Sequence, residues 1–189
     1  MLFITAKQAA KRAHGQGGTL GEQQEAVTAV VLSVVVAESA INEIGAWFEV
    51  HHLRPPLSIP HGLPYGFDRL ELRVKWSLLP ILVRQRTFDY GAEPWQSFDS
   101  LVELRNAIVH LRHRPLPKTV TALLKAKKLV AGNGLIGFEV AQWACETMAQ
   151  MFEKLTELVD PPKEWINLLW RWTPTHSFPR GLSTPGDPF

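Results

Sequence analysis

Arg105, Asn106 and His110 fall within six residues of one another in the run Phe98-Asp-Ser-Leu-Val-Glu-Leu-Arg-Asn-Ala-Ile-Val-His-Leu-Arg112. An arginine holds phosphate oxygens bidentately and keeps its charge at any physiological pH. A histidine near neutral pH can take a proton and return it. The pair therefore suits acid–base chemistry at a phosphate group, with Asn106 placed to orient either His110 or the phosphate.

Whether these side chains meet depends on the element that carries them. At about 100° per residue, Leu111, Leu104, Ile108, Leu101, Phe98, Val109 and Val102 cover an arc of roughly 180°. That is wider than one buried stripe needs. Arg105 falls inside this arc, between Leu101 and Val109. Asn106 and His110 are one turn apart on one margin, and the three bracket an edge shared by Val102 and Val109. The plain alternative is an arginine that snorkels or pairs with a carboxylate, beside a structural histidine. Two polar residues on another segment bear on this choice. Glu38 and Asn42 lie one turn apart in a long helix whose central part is apolar on all sides, where polar groups need partners. Glu38 could hold Arg105 through a charge-assisted bond, with Asn42 in support; simple helix–helix hydrogen bonding is the competing role.

The elements around them read as helices. Residues 5–14 have helical propensity with Thr5 as a possible cap, and the Gly-rich stretch 15–21 breaks them. That stretch lacks the Lys-Ser/Thr pair of a phosphate loop, so a linker is the better reading. Glu22 to about Val50 predicts one long helix, apolar on all sides in its centre and so buried in a bundle. Residues 51–67, with four prolines, predict a long loop. Asp68 should cap a helix to about Gln85, kinked or interrupted at Pro80. Ser97 to about His113 predicts the motif helix, capped by Ser97, Asp99 or a Ser100–Glu103 box and closed by Pro115 and Pro117. Helices over Thr119–Ala131 and Phe138–Val159 follow. Alternation of period two is almost absent, so the class is all-α. The division is an N-terminal segment and linker over 1–21, a helical domain over 22–159, and a Trp- and Pro/Gly-rich C-terminal tail over 160–189. A short docked helix is expected at 163–172.

At Arg105-Asn-Ala-Ile-Val-His110 the sequence resembles the signature of HEPN domains: an Arg, a polar residue that is commonly Asn, and a His a few residues on. The run ESAINEI at 38–44 is similar to the first core helix of that family, and the resemblance covers about Glu22 to Val159. It implies an up-and-down bundle that dimerises with the motif helices at the interface. It also implies a metal-independent endoribonuclease of toxin or phage-defence type, or a catalytically inactive interaction module. Members paired with a nucleotidyltransferase antitoxin carry a Tyr two residues after the His. Arg112 stands there in this chain, which departs from that mode of control, although an antitoxin protein is still among the expected partners.

The residue set fits such a reaction. Metal-free RNA cleavage uses the 2′-OH as nucleophile, a base to deprotonate it, an acid for the departing 5′-oxygen and a cation for the phosphorane. A two-fold dimer would supply two His110 and two Arg105 to one groove. Arg112, His113 and Arg114 could extend that groove along the RNA backbone, or form a solvated helix end. No cofactor is expected.

Composition narrows the rest. Twenty Lys and Arg against 18 Asp and Glu give a net charge of +2, so any nucleic-acid contact must be local. The single cysteine, Cys145, excludes an internal disulfide and a multi-cysteine zinc site. His51, His52 and His61 share one loop and could bind a metal, but no acidic partner lies near. The longest apolar run, Ala26 to Ala37, is short for a membrane span, and residues 1–18 show no leader pattern. The expectation is a cytoplasmic protein without a membrane partner.

Overall fold

Thirty-two residues, Leu20–His51, form the helix around which the others assemble. The computed structural model describes residues 2–16, 19–51, 67–110, 118–127, 129 and 136–160, with the backbone alone for 49–51. In chain order the helices are α1 (Leu2–His14), α2 (Leu20–His51), a 3-10 turn (Phe67–Arg69), α3 (Leu72–Arg84), α4 (Trp95–Val109), α5 (Lys118–Ala126) and α6 (Phe138–Val159). No strand occurs among the described residues, so the all-α expectation holds.

Helix α2 packs against α1, α3, α4 and α6. Contact on several sides is why its apolar residues run round the axis rather than along one stripe. Ala26, Ala29, Val30, Val34, Val36, Ala37, Ala40, Ile41 and Ile44 are all buried. Its Leu20–Phe48 stretch is long and apolar enough to cross a membrane, unlike the shorter apolar run the sequence emphasises. Half of that window is buried against the rest of the protein. Thr19 starts the helix, its hydroxyl accepting from the Glu22 amide at 3.2 Å.

Small residues set the α1 contact. Ala6, Ala9, Ala10 and Ala13 meet Ala26 and Ala29 of α2 and Ala141 and Cys145 of α6, letting the backbones approach closely. Burial of Phe3 extends α1 to Leu2, so Thr5 lies inside the helix and is not its cap.

The larger core centres on Trp76 of α3. Its ring lies 5.4 Å from Phe98 of α4 and 5.5 Å from Phe152 of α6. Its indole N–H donates to the Ala37 carbonyl of α2 at 3.3 Å. One side chain thus ties four helices together. Around it α3 differs from expectation. Asp68 belongs to the separate 3-10 turn and caps nothing in α3, which begins after Glu71. Pro80 sits buried within α3 without ending it, since one lost amide bond is outweighed by the packing of its ring. Gln85 closes the helix in the left-handed conformation, φ 54°.

Two helix ends are closed by side chains far away in sequence. The Glu22 carboxylate accepts from the Phe138 amide at 2.9 Å, at the start of α6. Arg84 donates to the carbonyls of Val159 and Asp160, at its end. Both satisfy groups a helix leaves open. The expected extension of α5 to Ala131 is not seen: α5 stops at Ala126, and residues 130–131 lie outside the described set. The expected 163–172 helix and the remainder of the tail also lie outside it.

Candidate functional site

The motif helix α4 is shifted from its expected limits, and the reason is burial. Ser97 and Ser100 are buried in mid-core, so neither caps the helix. Ser97 instead accepts from the Trp143 indole of α6 at 3.4 Å. Asp99 serves Arg73 of α3, whose guanidinium contacts its carboxylate and donates to its carbonyl at 3.0 Å. Glu103 accepts from Thr119 of α5 at 2.7 Å. The first turn is satisfied by Glu93, which accepts from the Ser97 amide at 3.2 Å and from Lys127 at 2.6 Å. These contacts fix α4 against α3, α5 and α6 and set the rotation at which Arg105 is presented.

Arg105 is partly buried and holds two partners. Its Nη1 donates to Asn106 Oδ1 at 2.9 Å, and its Nη2 lies 3.8 Å from Glu38 Oε2 on α2. Glu38 and Arg105 thus form an ion pair, at a separation too long for the charge-assisted hydrogen bond expected from sequence. Asn106 is committed to Arg105 rather than to His110. Asn42, one turn beyond Glu38, leaves its Oδ1 buried and without a hydrogen-bond partner among the described residues, and so gives Arg105 no support there. An orphaned acceptor of this kind costs about 1–3 kcal/mol.

Sequence reading missed Lys75. This lysine on α3 is 1% exposed, and its Nζ lies 3.6 Å from Glu38 Oε1. The neighbouring Trp76 binds Ala37, the residue before Glu38. The two oxygens of one carboxylate thus face two cations from two other helices, and the trio carries one net positive charge. No helix-period signal marks Lys75, because a lysine in an amphipathic segment looks like a solvated residue until its neighbours are known.

His110 is exposed at the C-terminal end of α4, its backbone N–H donating to the Asn106 carbonyl at 3.1 Å. Helix α4 is described to Val109 with His110 as its C-cap, and the expected end at His113 lies outside the described residues. The imidazole has no hydrogen bond or ion pair among the described residues. Five residues at about 100° each separate Arg105 and His110 by roughly 140° around the axis, so one chain does not face both onto a single point. The edge expected between Val102 and Val109 is split. Val102 is buried at 4% exposure, taken into the monomer core, while Val109 is 49% exposed. Arg112, His113 and Arg114 lie outside the described residues.

Among the described residues no group of three His, Cys, Asp or Glu side chains is placed to hold a metal ion, and His52 and His61 fall outside them. What the arrangement offers is a cation held in place, a carboxylate that offsets excess charge and, elsewhere on the same helix, an exposed imidazole. No protein family, curated protein or solved structure matches the chain.

Proposed function

We propose that this chain is a HEPN-like bundle acting as a dimeric, metal-independent endoribonuclease in a toxin or phage-defence setting. The observation that carries the reading is the state of Arg105. It is anchored by Asn106, balanced by Glu38 and still partly open to solvent, on the same helix as an exposed His110 that lies five residues on and roughly 140° round the axis, so that a two-fold partner is needed to bring the two groups to one site. In this reading Arg105 binds the scissile phosphate and offsets charge on the phosphorane. One His110 takes the 2′-OH proton and a second, from a two-fold partner, protonates the 5′-oxygen. The exposed Val109 is the apolar surface a partner would cover.

The test is incubation of the purified protein with total RNA in EDTA. Fragments should carry 2′,3′-cyclic phosphate and 5′-hydroxyl ends, and DNA should remain whole because it lacks the 2′-OH. Cleavage of DNA, or loss of activity on chelation, overturns the reading. A Val109→Glu chain should sediment as a monomer and lose activity together.

The same contacts favour one other reading. Arg105 is already engaged by Glu38 and Asn106, as in a non-catalytic module where it only pins α4 to α2. Growth on expression separates the two: a ribonuclease arrests cells in an Arg105-dependent way, and a module does not.

A further inference from the structure

We propose that Lys75 is a positioning residue of this site, holding Glu38 so that Arg105 can exchange its carboxylate for a phosphate oxygen of RNA. The inference rests on the ribonuclease reading for the identity of the phosphate, but not for the role of Lys75.

A buried ammonium is expensive unless paired, and packing alone would be served by Met or Leu at this place on α3. Lys75 nevertheless reaches the Glu38 carboxylate at 3.6 Å, opposite the oxygen that Arg105 faces at 3.8 Å. Its position is fixed by the next residue, since Trp76 is wholly buried and bonded to Ala37 on the same turn of α2 as Glu38. Exposure ranks the three groups. Lys75 is 1% exposed, Arg105 24% and Glu38 43%, so Lys75 is the cation that stays and Arg105 is the one an incoming anion can reach.

Without Lys75, Glu38 and Arg105 would form a closed pair of zero net charge. Moving Arg105 to a phosphate would then leave the half-exposed carboxylate with water alone as its partner and an uncompensated negative charge beside the incoming phosphate. With Lys75 present, Glu38 keeps a counter-ion whichever way Arg105 turns, and its negative charge stays offset beside the incoming phosphate. Lys75 therefore acts through Glu38 on Arg105 and touches no substrate itself.

The experiment compares wild type, Lys75→Met, Glu38→Gln and the double variant. Binding of a short 2′-O-methyl oligoribonucleotide, which lacks the nucleophile and is not cut, is measured first. Lys75→Met should weaken binding by about tenfold or more, as for loss of one charge-assisted contact. Adding Glu38→Gln to it should restore binding to within about threefold of wild type, because Arg105 is again released. A purely structural lysine would show no such rescue, and a double variant as weak as Lys75→Met overturns the proposal. The second measurement needs no RNA. Coupling between Glu38 and Arg105 is taken from denaturation of Glu38→Gln, Arg105→Gln and their combination, with Lys or Met at position 75. It should at least double with Met, and an unchanged coupling overturns the proposal. Wild-type protein that binds no oligonucleotide, with the coupling still rising, would end the ribonuclease reading and leave the role of Lys75 in place. Should Lys75→Met fail to fold, Lys75→Gln goes through the same measurements.

Discussion

Arg105 and Asn106, adjacent in sequence, are joined through their side chains, Nη1 donating to Oδ1 at 2.9 Å. Adjacent residues on a helix point about 100° apart, so the bond draws the guanidinium sideways along the surface of α4. Asn106 thus holds one nitrogen of the guanidinium while the other faces Glu38 on α2.

Removing that bond should hurt activity more than stability. On the proposed ribonuclease reading, Asn106→Ala is expected to lower RNA cleavage roughly ten- to a hundredfold by misplacing Arg105. Its stability loss should stay near 1 kcal/mol, as for one partly exposed hydrogen bond. His110→Ala should abolish cleavage with an unchanged melt, whereas Val34→Asp in the buried face of α2 should unfold the chain. Thermal melts beside single-turnover rates check all three, and a His110→Ala chain as unstable as Val34→Asp would make His110 structural.

The Gly45–Phe67 contact predicts a reversal of sign. A Cβ at Gly45 would lie 2.6 Å from the buried Phe67 ring, so something must shift. Gly45→Ala gains up to about 1 kcal/mol of helix propensity but meets an overpacking penalty of about 1–3 kcal/mol. The net effect should be destabilising. In a Phe67→Ala background the clash is gone, and the same substitution should stabilise. Urea denaturation of the four chains decides it.

Cys145 should be silent until the protein unfolds. Burial pushes its thiol up to about 11, despite the hydroxyl of Ser33 at 3.8 Å. The thiolate is the reactive form, so modification by a thiol reagent at pH 8 should follow the unfolding rate. Because the folded value is raised, the associated stability is present below the ordinary value near 9.0 and is lost as pH rises through about 11. Cys145→Ala should flatten that alkaline limb. Rapid labelling of the native protein would contradict the burial.

Glu93 predicts an effect at the acid end. Burial raises its carboxyl, but the bonds from Lys127 and Ser97 together outweigh this and hold it below the usual range. A lowered carboxyl contributes stability above its ordinary value of 4.5 that is lost as pH falls through the folded value. Between pH 6 and 3, Glu93→Gln should therefore lose less stability than wild type. Parallel curves would place the acid sensitivity elsewhere.

Sequence by itself determined the helices whose burial pattern is local. Helix α6 was readable to the residue because its apolar residues recur at helical spacing between Gly137 and Asp160. The length of α2 was readable from its freedom from proline, whereas the sequence left open whether Glu38 meets Arg105, and the structure sets them 3.8 Å apart as an ion pair. Tertiary structure decided whatever depended on what lies opposite. Ser97 and Ser100 look like caps in isolation, but Trp143 and the core cover them, and the cap comes from Glu93. Val102 looks like part of an interface and is taken into the core, leaving Val109 alone outside. Lys75 looks solvated and is buried against Glu38 from a different helix. In each case the competing environments differ by solvation and pairing energies that only the three-dimensional neighbours supply, and helical periodicity carries no record of them.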